Sequence, residues 1–264
     1  SGAKAVPLTL DEKDNFEINI DKLEDVISEK TSLIIINNPN NPTGSFMNLE
    51  KINKLINLLD KYPNIAILSD EIYSKIIFND YKMPTLLKYK NLHDRLIVLD
   101  GWSKTYCMTG WRLGWSVWPS KFIEYANKLC VNNHSCPTSI SQYAGIEALK
   151  GPQDQVKTMV KEFKERKELI VNMTNNIPGF SCITPEGAFY TMPNIKKTGL
   201  SSKEMETLLL EKLYVASVAG TSFGSYGEGY IRFSYANSKE NIRLKMAGRE
   251  KAKICMERMV KILS

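Results

Sequence analysis

The chain has 264 residues, 43% of them hydrophobic and 24% charged, enough to bury one large core or two modest ones and too apolar for a disordered chain. Its formal charge of +6 is carried by lysines such as Lys157, Lys161 and Lys164 interleaved with Glu162, Glu165 and Glu168, a solvated helix face that argues against nucleic acid as a partner. Five cysteines (Cys107, Cys130, Cys136, Cys182, Cys255) include no C-x-x-C pair, which speaks against a disulfide framework or structural zinc, and no apolar run approaches the ~18 residues of a membrane span; a soluble protein of the reducing cytoplasm is expected.

Leu33-Ile34-Ile35-Ile36, Ile65-Ala66-Ile67-Leu68 and Leu96-Ile97-Val98-Leu99 are short apolar runs, each read as a strand buried on both faces. Between the first two, Ile52, Leu55, Ile56 and Leu59 recur at three- and four-residue steps. That spacing predicts an amphipathic helix over 48–61 with Asn48 as its N-cap. Strand, helix and strand at this spacing give a parallel βαβ sheet, whose ligands sit beyond the carboxyl ends of the strands. Leu113 to Trp118 reads as a further strand, and helical patterns cover 120–131 and 138–150. Gly151-Pro152 breaks the pattern before a long charged helix to about Asn176. Strand-like pieces over 188–192, 214–218 and 230–235 then alternate with helices over 201–213 and 239–263. The fold class is therefore α/β, with residues 1–150 forming part of a large domain and 151–264 a smaller α+β domain with an interdomain helix.

Three motifs begin where a strand run ends: Asn37-Asn38-Pro39-Asn40-Asn41-Pro42-Thr43-Gly44, Ser69-Asp70-Glu71-Ile72-Tyr73, and, just after Asp100, Ser103-Lys104-Thr105-Tyr106-Cys107-Met108-Thr109-Gly110-Trp111-Arg112. Alone, the first is an ordinary turn. Asp70 ends an apolar strand, a costly place for a carboxylate unless it is paired; it either meets a cation or caps a following helix. Tyr73 lies three residues on, hence on the same face of such a helix, or is a half-buried packing residue. Lys104 is either one of many solvent-facing lysines or an amine held beside a carbonyl. Arg232 lies on an apolar strand, and a buried arginine needs an anion. His93 and His134 have no metal-ligand partner at useful spacing. Trp102, Trp111, Trp115 and Trp118 read as core or sheet packing.

Taken together, an amide, a carboxylate, a phenol, an amine and a guanidinium in this order resemble the fold-type I pyridoxal 5'-phosphate (PLP) aminotransferases of class I and II. The resemblance implies that Lys104 is the Schiff-base lysine and the proton-moving general acid and base. It makes Arg112 and Ser103 phosphate ligands, Asp70 the partner of the pyridine nitrogen, and Tyr73 and Asn41 the donors to the ring oxygen. Asn41 and Arg232 would bind substrate, Arg232 through the α-carboxylate. Ala219-Gly220-Thr221-Ser222-Phe223-Gly224 resembles the family's Pro-Gly-x-x-Phe-Gly loop, with alanine for proline. The implied reaction moves an amino group from an L-amino acid to a 2-oxo acid by a ping-pong mechanism, in a homodimer. A carbon–sulfur β-lyase or decarboxylase of the same fold, or a non-catalytic fragment, is the alternative. By the same resemblance residues 1–10 are the strand and loop after the family's ring-stacking aromatic, and Leu113 to Trp118 is antiparallel to its neighbour. The chain is then expected to lack an N-terminal portion that carries phosphate contacts, and to be weakly active or inactive, with weak cofactor affinity and an exposed sheet edge as consequences.

Overall fold

β-branched runs at the predicted spacing fold into a sheet whose register sets the row on which the candidate site stands. The computed structural model describes residues 2–79 and 82–247, in two units. One comprises Ser1–Leu10, Glu17–Pro39 and Phe46–Thr158, the other Asp11–Phe16, Asn40–Ser45 and Met159–Ser264.

The first unit holds a four-stranded sheet in the order β1 (Leu33–Asn37), β2 (Ala66–Asp70), β3 (Leu96–Gly101) and β4 (Gly114–Val117). β1, β2 and β3 are parallel, and β4 runs antiparallel to β3, as expected. Asn37 pairs with Asp70 and Asp70 with Leu99, so the carboxyl ends of three strands lie in one row. Two early helices are α1 (Ile20–Val26) and α2 (Leu49–Asp60), the latter capped by the Asn48 side chain, which accepts from the Lys51 N–H. Leu55 and Leu59 of α2 are fully buried in a core with Ile36, Ile52, Ile67, Leu96 and Val98. Each such side chain contributes about 1.5–3 kcal/mol by leaving water. Arg95 closes this layer. Its buried guanidinium donates to the carbonyls of Leu59, Tyr62 and Ile65 at 3.0, 2.7 and 3.3 Å, satisfying acceptors at and beyond the end of α2.

β1 corrects the sequence reading. Leu33 and Ile35 are 43% and 67% exposed while Ile34 and Ile36 are buried, because β1 is an edge strand covered on one face only among the described residues. Residues 2–10 form no strand. The other edge, β4, is exposed throughout, so Trp111 and Trp115 are exposed rather than packed. Trp102 does pack, donating its indole N–H to the Gly145 carbonyl at 2.9 Å. The one-turn α3 (Trp102–Thr105) follows β3, and α4 (Ile123–His134) and α5 (Ser139–Lys150) complete the unit. Both α4 and α5 expose apolar side chains, among them Tyr125, Leu129, Ile140, Tyr143 and Leu149.

The second unit is built on an antiparallel sheet in the order β5 (Tyr190–Thr191), β7 (Ile231–Ser234), β6 (Val218–Ala219). The long α6 (Asp154–Asn175) contributes Phe163, whose ring lies 5.4 Å from Phe189 and 6.3 Å from Tyr235. α7 (Ser202–Leu213) starts with a capping box between Ser201 and Glu204. The strand expected over 214–218 is shorter: Tyr214 ends α7 in a left-handed conformation, its N–H bonded to the Leu209 and Leu210 carbonyls, which delays β6 to Val218. Glu12 accepts from the Asn194 amide and from the Tyr230 hydroxyl, and Phe16 meets the Tyr230 ring edge-on at 5.6 Å. Burial, with the Glu12 carboxylate beside it, pushes the Tyr230 phenol up to about 12. α8 (Lys239–Ala247) is the described part of the helix expected over 239–263; its remainder, with Cys255, lies outside the described residues.

Candidate active site

In the first unit, Asp70 closes β2 on the row of strand ends. Its carboxylate accepts the Ile72 N–H at 3.1 Å, and residues 72–75 are turns. Neither a helix capped by Asp70 nor a helical face bearing Tyr73 is therefore formed; an Asx-type turn takes their place. Burial pushes the Asp70 carboxyl above its ordinary value, opposed only by that backbone hydrogen bond. No cation pairs with Asp70 among the described residues. Tyr73 is buried. Lys104 stands on α3 just past the end of β3, half-buried, with Nζ 5.9 Å from the centroid of the Tyr73 ring. Ser103 is half-buried beside it. The sheet thus gathers Asp70, Tyr73, Ser103 and Lys104 from two neighbouring strand ends.

Arg112 follows at the start of the antiparallel return. It is exposed, left-handed at φ 53°, and its Nη1 donates to the Thr109 carbonyl at 3.0 Å. A non-glycine residue in this region costs about 1–2 kcal/mol. Cys107 is left-handed in the same loop. Backbone strain of this kind concentrates at ligand sites.

Two carboxylates escaped the sequence reading as site members. Glu71 is buried, accepting from the Ser69 hydroxyl at 3.0 Å and the Leu86 N–H at 3.1 Å. Asp100 accepts from the Gly101 N–H at 2.6 Å and the Ser74 hydroxyl at 3.0 Å. Burial raises both carboxyls, and the Asp70 charge adds to the rise at Asp100. The signal was available, since Asp100 ends an apolar run as Asp70 does. Among the described residues no group of histidine, cysteine and carboxylate side chains could hold a metal ion, and no helix is long and apolar enough to cross a membrane.

The second unit brings together Asn41 and Arg232. Asn41 lies in a tight turn in which Asn40 accepts from the Thr43 hydroxyl at 2.8 Å and Gly44 donates to the Asn40 carbonyl at 2.9 Å; the Asn38-Pro39 and Asn41-Pro42 bonds are cis. Gly44 is required twice over. Its φ is +72°, and a Cβ there would meet the Pro185 Cβ at 2.4 Å and the Tyr190 carbonyl at 2.8 Å. Arg232, on β7, donates from Nη1 to the Asn41 side-chain oxygen at 3.0 Å. Its Cζ lies 4.5 Å from the Tyr190 ring centroid and 4.9 Å from that of Phe223, and its Nε is buried without a hydrogen-bond partner.

This pairing of fold and residues has clear relatives. Residues 1–247 match the family described as aminotransferase class I and II. An aspartate aminotransferase from Pyrococcus horikoshii is 42% identical over 252 residues, which are 95% of this chain and 64% of that protein. An aromatic-amino-acid aminotransferase 2 from Thermococcus litoralis is 35% identical over 253 residues, with the same two coverages. The crystal structure of an aromatic aminotransferase from Pyrococcus horikoshii superposes with a TM-score of 0.90 at 34% identity, covering 98% of this chain and 68% of that one. The chain spans about 64% of the length of these curated relatives. With the family matched over nearly all of its residues, the chain belongs to the class I and II aminotransferases.

Proposed function

We propose that this protein is a PLP-dependent aminotransferase that moves an amino group from an L-amino acid to a 2-oxo acid by a ping-pong mechanism. The observation that carries this reading is Asp70: a carboxylate raised by burial, without a cation among the described residues, at the end of a central strand whose neighbour delivers Lys104. The donor set fits the cofactor. A carboxylate suits a pyridine nitrogen, a buried phenol a ring oxygen, an amine an aldehyde, and an exposed guanidinium with a hydroxyl a phosphate.

When bound, PLP supplies an aldehyde that condenses with amines and a ring that accepts an electron pair from a substrate carbon. Asp70 would hold the ring nitrogen protonated, and Tyr73 would donate to the ring oxygen. Arg112 would grip the phosphate through its fork while Ser103 adds its hydroxyl. Lys104 Nζ would hold the aldehyde end of the cofactor and, as general base and acid, take and return the proton at the substrate Cα. Arg232, oriented by Asn41, would bind the substrate α-carboxylate. Cofactor functions fall in residues 1–150 and the arginine that reads the substrate in 151–264. The names of the aspartate and aromatic relatives support an L-amino acid as donor. The exposed apolar faces of α4 and α5 support assembly as a homodimer, and the thiols of Cys130, Cys136 and Cys182, outside any disulfide among the described residues, a cytoplasmic setting.

Borohydride reduction in the presence of PLP, followed by peptide mapping, tests the reading. The label is expected on the peptide containing Lys104. A label confined to other lysines would refute the assignment, and failure of the full-length protein to form glutamate from 2-oxoglutarate and any amino acid, with the label correctly placed, would refute the reaction.

A further inference from the structure

Arg232 is a cation without a counter-ion among the described residues. Its contacts are one hydrogen bond to Asn41 and two aromatic rings. A carboxylate side chain in place of the rings would neutralise the guanidinium and occupy its N–H donors. Aromatic faces stabilise the cation through the ring quadrupole and consume no donor. We propose that Tyr190 and Phe223 are positioning residues that hold the Arg232 guanidinium oriented so that its N–H donors remain available for the substrate carboxylate; this rests on the role given to Arg232 above.

The placement of both rings supports that division of labour. Tyr190 on β5 pairs with Ser234 on β7, two residues along β7 from Arg232, so it is the diagonal cross-strand neighbour of Arg232, within reach of a long side chain. Its carbonyl packs so closely on the Asn41 turn that Gly44 admits no side chain. Phe223 is 41% exposed. Its loop is nevertheless fixed. Residues Gly220–Phe223 form a 3-10 turn in which the Gly220 N–H donates to the Tyr230 carbonyl at 2.9 Å, and a Cβ on Gly220 would lie 2.1 Å from the Gly227 carbonyl oxygen. Preorganisation of this kind lowers the cost of binding, because the arginine need not be ordered when the ligand arrives.

The test uses the cofactor-free chain with 15N-labelled arginine, the Arg232 Nε–H signal assigned by its loss in Arg232→Lys, and succinate as the probe. Succinate is expected to shift that signal. Phe223→Leu and Tyr190→Leu are each expected to weaken binding roughly threefold to tenfold, the range of one cation–π contact, with Phe223→Trp restoring it. Because a leucine variant can disturb the fold, phenylalanine of increasing fluorination at 223, nearly isosteric, provides the second series; the dissociation constant should rise stepwise as the ring quadrupole is drained. In the holoenzyme the same variants should raise KM for amino acid and oxo acid and leave kcat and the cofactor absorbance unchanged. Equal succinate affinity across the fluorinated series would overturn the proposal. If the series behaves as expected while no label reaches Lys104, the cofactor reading fails and the carboxylate clamp stands.

Discussion

Asp70→Asn is expected to move stability and cofactor affinity in opposite directions. The asparagine side-chain oxygen keeps the bond to the Ile72 N–H, seen at 3.1 Å, and removes the charge that burial disfavours. In the folded chain the Asp70 carboxyl is raised above its ordinary value. Its stabilising contribution is therefore fully present below about pH 4, the ordinary aspartate range, and is lost as pH rises through the higher folded value. At pH 7 the cofactor-free variant should melt above the wild type, and the gain should vanish below about pH 4. Cofactor binding should fall, because a charge-assisted hydrogen bond to the ring nitrogen is lost. Such bonds contribute about 1.5–3 kcal/mol, or roughly one to two decades of affinity at ~1.4 kcal/mol per decade. Thermal unfolding between pH 3 and 8, with PLP titration followed by absorbance, reads both effects. A variant that melts lower at pH 7, or one that binds PLP as tightly as the wild type, would refute the reasoning.

Two further substitutions separate ligand-binding groups from structural ones. Arg112→Gly relieves a left-handed residue at φ 53° and should raise stability by about 1 kcal/mol, while weakening PLP by at least one decade and leaving phosphate-free pyridoxal unaffected; equal losses for both ligands would contradict a phosphate role. Arg95→Met removes a donor from three carbonyls; those of Leu59 and Tyr62 keep a backbone N–H, so the loss should be about 1–3 kcal/mol in urea unfolding, the cost of one orphaned group at Ile65. A loss under about 1 kcal/mol would mean that water satisfies that carbonyl.

Much of this was legible in the chain because the signals are local. Ile52, Leu55, Ile56 and Leu59 recur on one helical face, and Asn48 precedes them as a cap. The reading of β1 failed because an apolar run shows that a strand forms but not whether both of its faces are covered; among the described residues Leu33 and Ile35 lie on the uncovered face while Ile34 and Ile36 face the core. Tyr214 misled for another reason. A β-prone aromatic residue stands where the chain needs a left-handed helix terminus, and the cap geometry overrode its propensity. At the site, Asp70, Tyr73, Ser103 and Lys104 could be grouped because each lies within a few residues of a strand end. Arg232, Tyr190 and Phe223 could not, since only the sheet order β5-β7-β6 and the loop after β6 bring them together.

Three residues that the proposed chemistry needs break local rules. Among the described residues Asp70 is a half-buried carboxylate without a cation, Arg112 a side chain in a glycine-like conformation, and Arg232 a guanidinium whose buried Nε has no hydrogen-bond partner. Each costs stability that an ordinary residue would not, and such violations collect at functional positions. Arg95 is the internal contrast. It is equally charged and more deeply buried, yet its three bonds are to carbonyls within the chain's own core. Replacing Asp70 or Arg112 should therefore stabilise the free chain and weaken a ligand, whereas replacing Arg95 should only destabilise. That opposition of signs distinguishes residues kept for binding from residues kept for folding, and it does so before any substrate is known.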